Sequence, residues 1–241
     1  MEGTPVTNRR DLIIAIDGPS GAGKGTLARA VAAALKYRHI DTGAMYRAVA
    51  WKAMHDGLSL NDEDQVSQLA AHAALECEDG RVVIDGHDVT RAIRTPEIDK
   101  AAAAVARLPL VRHALVARQR DLGQSRGVVM EGRDIGTVVF PDADVKVYLD
   151  AAAGERARRR ASDAAHTGGQ QGSLAGLQTD LEARDQSDST RPVAPLAMAN
   201  DATYIDTTGM PIEDVVERVM GMVREKIMGN EELRTKNEER N

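Results

Sequence analysis

The chain has 241 residues, a formal net charge of −6, 28% charged and 42% hydrophobic residues, and one cysteine, Cys77. That length suits one large α/β domain or two small ones, and the composition excludes a disordered or membrane-embedded chain and argues against a general nucleic-acid binder. A lone cysteine excludes an internal disulfide and offers no metal-ligand spacing, and the N-terminus MEGTPVTNRRD has no apolar signal region, so a cytoplasmic protein without a membrane partner is expected.

Residues 1–11 carry no apolar periodicity and read as a flexible lead-in. Leu12-Ile13-Ile14-Ala15-Ile16 is an apolar, β-branched run that predicts a strand buried on both faces. Gly18, Gly21, Gly23 and Gly25 follow, and Thr26 to Leu35 predicts a helix. A strand, a glycine-rich turn with inward N–H groups and the positive end of a helix make a cradle for anionic oxygens, with Lys24 placed to reach terminal phosphates. The usual spacing G-x-x-x-x-G-K-[ST] holds up to Gly23-Lys24, but Gly25 stands in the hydroxyl position and Thr26 follows it.

Tyr37 to Asp41 is a weak strand pattern, and Thr42-Gly43 opens a helix from Ala44 to His55 on which Trp51 reads as core. Asn61 is expected to cap a helix through Ala74, with Asp62, Glu63 and Asp64 in its first turn. Leu75 to Cys77, Arg81 to Ile84 and a piece near Val89 predict short strands joined by the hairpin signals Asp79-Gly80 and Asp85-Gly86. Residues 60–95 therefore read as an antiparallel insertion. Pro96 to Ala106 and Leu110 to Leu122 predict helices. Val128 to Met130 and Val145 to Leu149 predict buried strands that end at the acids Glu131 and Asp150, and in open α/β sheets functional groups gather beyond such ends.

Glu155 to Arg160 places four arginines on one helix, a glycine- and glutamine-rich loop spans Thr167 to Ser173, and a further helix runs from Leu174 to about Ser187. This is the layout of a lid that closes over phosphates, although a charge run by itself reads equally as a solvated face. Three successive arginines cannot share one face, so at least one must point elsewhere. Thr203 to Asp206 is the last strand pattern, Pro211 opens a helix to about Ile227, and Gly229 to Asn241 reads as a disordered tail.

These parts suit phosphoryl transfer, in which a phosphate cradle with Lys24 holds a donor nucleotide, Mg²⁺ bridges its phosphates and arginines neutralise the transferred group. Thr26 is the candidate hydroxyl near the metal. Glu131 is the candidate for ordering metal-bound water, and its alternative is a strand-end acid facing solvent. Anion-binding candidates are Arg47 after Tyr46, Arg133 beside Asp134, and Arg184, Asp188 and Arg191, whose spacing places them on one helical face. An intrahelical salt-bridge row accounts for that spacing equally well. The acceptor oxygen comes from the substrate, so no nucleophilic side chain is required.

The segments DGPSGAGKGT, DTGAMYR, PLVR, EGRDIGTVVFPDA and RDQSDSTRPVAPL, in this order between Ile13 and about Lys226, resemble the bacterial cytidylate kinases, and GKGT is the variant seen in nucleoside monophosphate kinases. The resemblance implies transfer of the terminal phosphate of ATP to CMP or dCMP, with Mg²⁺. It also implies a P-loop kinase fold, with a parallel core sheet flanked by helices, an inserted antiparallel monophosphate-binding region and a short lid. One domain would span 12–228, divided into a core (12–59, 96–152 and 188–228), the insertion (60–95) and the lid with its flanking helices (153–187), and would act as a monomer.

Carried over residue by residue, the resemblance assigns Gly18, Pro19, Ser20, Gly21, Ala22, Gly23, Lys24, Gly25 and Thr26 to ATP phosphates. Lys24, Arg133, Arg159 and Arg160 fall to the charge on the transferred group, and Thr26 and Glu131 to Mg²⁺, directly or through water. Thr42, Tyr46, Arg47 and Arg133 match positions that hold the monophosphate, Arg184 and Asp188 positions on the sugar, and Arg191 one near the phosphates. Arg112 and Asp134 match positions that read the cytosine edge. A carboxylate accepts from the 4-amino group of cytosine, whereas uracil offers a carbonyl there.

Which of the lid arginines Arg156, Arg159 and Arg160 reach phosphate depends on helix phase. The chain has Ala103 where the family often has a serine that helps read the base, and Glu131 where some members have aspartate. A P-loop kinase for another small acceptor, such as UMP or shikimate, would share the loop and lid without requiring EGRD and RDxxDSxR together. A nucleotide switch would read guanine through N-K-x-D, and no such string occurs.

Overall fold

The computed structural model describes residues 11–78, 80–163 and 173–238, with side chains described to residue 229. The first half runs β1 (Ile13–Asp17), α1 (Lys24–Leu35), β2 (Arg38–Asp41), α2 (Thr42–His55), α3 (Glu63–His72), β3 (Leu75–Glu78), β4 (Arg81–Ile84), β5 (His87–Asp88) and α4 (Pro96–Val105). The second runs α5 (Pro109–Gly123), β6 (Val128–Glu131), β7 (Val145–Asp150), α6 (Ala153–Ser162), α7 (Leu174–Ser189), β8 (Thr203–Asp206) and α8 (Ile212–Glu238).

Five strands form a wholly parallel sheet in the order β2-β6-β1-β7-β8. Parallel sheets need both faces covered, and β1 is buried along its whole length. Its period of two divides the work: Ile14 and Ile16 join Val147, Leu149 and Ile205 beneath Leu27 and Val31 of α1 and Val219 of α8. Ile13 and Ala15 face the other way, with Val116, Met130 and Ile135. All five parallel strands end in an acid, and the register sets Asp41 beside Glu131 and Asp150 beside Asp206.

Strands β3 to β5 form the separate antiparallel sheet. At its second turn Asp85 and Gly86 both have positive φ, 47° and 79°, as a tight primed hairpin turn requires. Val82 and Ile84 of this sheet share a core with Val49, Val66, Ile98, Val105 and Leu115, so the hairpin is sealed by α2 to α5. Trp51 packs on that core, stacked on His55 at 4.8 Å between ring centres and with His87 at 5.6 Å.

Several boundaries differ from the sequence reading. Asp62, not Asn61, caps α3, accepting from the Gln65 N–H at 3.1 Å, and that helix stops at His72. Left-handed Gly23 turns the chain directly into α1, two residues before Thr26. Helix α8 continues to Glu238, so most of the segment expected to be a disordered tail is helical; its glutamates, lysine and arginine favour helix without an apolar stripe. A π-helical turn at Ile135–Val139 had no signal in the sequence. Asp79 of the first hairpin turn, the lead-in up to residue 10 and the lid loop up to residue 172 lie outside the described residues. Among the described residues no helix is long and apolar enough to cross a membrane.

Gly18 opens the loop after β1 with φ 142°, and a Cβ there would lie 2.0 Å from the carbonyl oxygen of Leu149 in the neighbouring strand. Gly18→Ala is expected to lower the unfolding free energy by about 3 kcal/mol, read from the urea midpoint at unchanged m-value. A loss under about 0.5 kcal/mol would mean that β1 and β7 can part at this point without penalty.

Candidate active site

The loop after β1 ends at Gly23, φ 94°, and α1 starts with no side-chain cap and no acid in its first turn. Its N-terminal amides are thus open to an anion. Lys24 is buried, and its amine folds back to donate to the Pro19 carbonyl at 2.6 Å. Burial, and then the nearby Arg133 guanidinium, push its pKa down to about 7, with Glu131 opposing them. Thr26 is exposed on the first turn of α1. The Glu131 carboxylate comes within 3.1 Å of where a Cβ on Gly25 would sit and pairs with His39 at 2.9 Å.

Opposite the loop, α2 begins where β2 ends. Asp41 accepts from the Ala44 N–H at 2.9 Å and pairs with Arg47 at 2.9 Å and Arg94 at 3.5 Å. Burial alone would raise its pKa, but these two guanidinium groups hold it well below the usual carboxylate range. Thr42 donates to the Glu131 carbonyl at 2.7 Å. Tyr46 lies 5.6 Å from the Arg112 guanidinium carbon, and burial pushes its hydroxyl up to about 12.

The turn after β6 carries Arg133 and Asp134. Arg112 from α5 is 2% exposed and pairs with Asp134, while its Nε and Nη1 have no hydrogen-bond partner among the described residues. Arg133 donates to Asp188 at 2.9 Å, and Arg191 reaches the same carboxylate at 3.7 Å. Arg184 and Arg160 both converge on Asp99 of α4, Arg184 at 3.2 Å. The row Arg184, Asp188, Arg191 is therefore not an intrahelical ladder: α7 ends at Ser189, and two of its three members pair across the fold.

Helix phase separates the arginines of α6. Arg158 turns outward to Glu155 at 3.0 Å. Arg159 donates to the hydroxyl and carbonyl of Thr207 at 2.9 and 2.7 Å, beside the loop. Arg160 reaches Asp99, and Arg156 turns to the Ser20 carbonyl, outside the cleft lining.

One cleft of about 420 Å³ gathers the residues expected from the sequence except Gly18, Pro19 and Ala22. It adds Arg29, Asp41, Arg94 and Asp163, and the alanines Ala102, Ala103 and Ala106 form part of its wall. A smaller slot of about 150 Å³ adjoins Ala22, Gly23 and Thr26, lined by Leu27, Leu149, Met210, Ile212 and Val215 with Arg159 and Thr207. The sequence reading also missed Asp17, which accepts from the Ile135 and Gly136 N–H groups at 2.8 and 2.7 Å. Burial pushes its pKa up to about 6 against those two bonds. Asp17 and Asp41 did carry a signal as the acids that end strands; Arg94 and Asp99 carried none.

A chain of negative net charge thus concentrates cations around an open helix end, an arrangement able to hold two phosphate-bearing ligands at once. The chain is 47% identical over 225 residues to the cytidylate kinase of Solibacter usitatus (strain Ellin6076), covering 92% of this chain and 96% of that one. It is 46% identical over 222 residues to the cytidylate kinase of Desulfitobacterium hafniense (strain Y51), covering 91% and 95%. Among solved structures, an uncharacterized protein from Eubacterium ventriosum ATCC 27560 matches with a TM-score of 0.52 at 8% identity over 88% of this chain and 98% of that one, a likeness of fold alone. With the Cytidylate kinase family model matching residues 14–225, the chain belongs to the cytidylate kinase family.

Proposed function

We propose that the protein transfers the terminal phosphate of ATP to CMP or dCMP, giving ADP and CDP or dCDP, with the residue roles carried over above. The observation that carries this reading is the buried Arg112–Asp134 pair in the same arginine-lined cleft as the open end of α1. Asp134 supplies an acceptor for the 4-amino group of cytosine, and the unpartnered Nε and Nη1 of Arg112 supply donors for its ring nitrogen and carbonyl. The alanine wall at Ala102, Ala103 and Ala106 offers apolar contact to a base and no hydroxyl.

On the donor side, the amides of the loop and of α1 receive the phosphates, Lys24 moves from Pro19 to the terminal phosphate, and the apolar slot beside Thr26 takes the donor base. Arg47, Arg133 and Arg191 hold the acceptor phosphate, whose own oxygen attacks. Residues 60–95 serve as the acceptor-side insertion and 153–187 as the lid. Mg²⁺ is commonly held by substrate phosphates and one or two protein oxygens, and exposed Thr26 and buried Glu131, both lining the cleft, fit that demand. Bound there, the ion would neutralise charge on the phosphates. The single cysteine and the acidic net charge support a cytoplasmic monomer without a nucleic-acid partner.

The test is a coupled assay of the purified protein with ATP, Mg²⁺ and each monophosphate in turn. CMP and dCMP are expected to exceed UMP in kcat/KM by about a hundredfold, because uracil leaves the Asp134 acceptor unpaired. Equal use of UMP would overturn the base-reading role. Asp134→Asn should shrink the preference to about tenfold or less, since an amide can donate to the uracil carbonyl; an unchanged ratio would remove Asp134 from base readout.

Lys24 makes donor binding depend on pH. With its pKa near 7 in the free protein, the amine is largely neutral at pH 8, and a triphosphate beside it favours the charged form. ATP binding at pH 8 is therefore expected to take up as much as about one proton, measured by calorimetry in buffers of different ionisation enthalpy. Lys24→Met should abolish the uptake, and binding without proton exchange in the parent protein would place Lys24 away from the phosphates.

A further inference from the structure

Of the two α6 arginines outside the cleft lining, Arg156 is tightly held. Arg156 is buried; its Nε donates to the Ala151 carbonyl at 3.0 Å, and its Nη1 donates to the Ser20 carbonyl at 3.0 Å and pairs with Asp185. The other oxygen of Asp185 accepts from the Ser20 N–H at 3.1 Å. The N–H and the C=O of one phosphate-loop residue therefore both end on a single ion pair, whose members come from two different helices, α6 and α7. Just beyond Ser20, a Cβ on Gly21 would lie 3.0 Å from the Arg156 Cβ, so α6 backs the loop without a gap.

Such a loop needs holding. Gly18, Gly21 and Gly23 all sit at positive φ, and glycine is as free to leave those conformations as to adopt them. Amides that must point at an anion bind it better when they point there beforehand. Two successive peptide units, Pro19–Ser20 held by its N–H and Ser20–Gly21 held by its C=O, cannot turn over without breaking charge-assisted bonds. Asp185 lies in the same segment as Arg184 and Asp188, which meet Asp99 and Arg133, so one helix reaches the loop and the far wall of the cleft.

We propose that Arg156 and Asp185 are a positioning pair that fixes the two peptide units flanking Ser20 and so presets the phosphate loop for the donor triphosphate without touching it. This rests on the loop being the ATP site, as proposed above. Asp185→Asn keeps an acceptor for the Ser20 N–H but removes the charge opposite Arg156, Asp185→Ala removes both, and Arg156→Lys keeps the charge without the fork of donors.

The measurements are dissociation constants for ATP and for CMP, and the thermal transition, on the full chain. ATP binding is expected to weaken about tenfold in Asp185→Ala and about threefold in Asp185→Asn, with CMP binding within about twofold of the parent. Unchanged ATP affinity in a folded Asp185→Ala protein would overturn the proposal. So would ATP and CMP affinities falling together with the thermal midpoint, which is what a merely structural pair would produce. Should Asp185→Ala not fold, the other two variants decide: if neither weakens ATP relative to CMP, the pair does not preset the loop. A parent protein that binds CMP but no ATP would instead remove the donor-site reading itself.

Discussion

Arginines crowded into one cleft repel one another, and burial adds to the penalty. Here the repulsion is offset by carboxylates, several supplied by the carboxyl edge of the parallel sheet. Asp41, the last residue of β2, lies between Arg47 and Arg94. Asp134, just past β6, holds Arg112, while Asp188 and Asp99 on helices receive Arg133 with Arg191 and Arg160 with Arg184. The pairing is incomplete in a useful way: Arg47, Arg112, Arg184 and Arg191 each keep a buried N–H with no partner among the described residues. An entering dianion thus meets donors already desolvated and oriented, on guanidinium groups that the carboxylates hold through other nitrogens.

The same edge fixes the two halves of the cleft relative to each other. Asp17 at the end of the central strand accepts from Ile135 and Gly136, and Ile16 accepts from Gly132 at 2.9 Å. The turn that carries Arg133 and Asp134 is therefore bonded on both sides to the strand that feeds the glycine-rich loop. The two sides of the cleft hang from one sheet, which suits the proposed reaction, in which two phosphates must meet within bonding distance.

What the sequence made legible is what its local pattern determines. The β-branched runs gave the parallel strands, the glycine spacing gave the loop, and Asp85-Gly86 gave a hairpin turn, because each depends on residues a few positions apart. The arginines were visible as candidate anion ligands, but their protein partners were not: Arg156 meets Ser20 across 136 positions, and Arg160 meets Asp99 across 61. Helix phase decided which arginine of α6 faced the cleft, and a run of consecutive arginines left that phase open. The π-helical turn escaped because its N-terminal bonds end on Asp17, a residue far away in sequence. The helical end of α8 was misread because apolar periodicity was given more weight than propensity.

Trp51, the only tryptophan, lies outside the cleft lining, stacked on His55 near His87 where α2 meets the antiparallel hairpin. The molecule consequently carries a built-in optical label on the seam between these elements and none in the phosphate loop. Its indole emission responds to how tightly the hairpin rides on α2. A change at this seam and one in the loop can therefore be followed separately, the first by intrinsic light and the second only by an added probe.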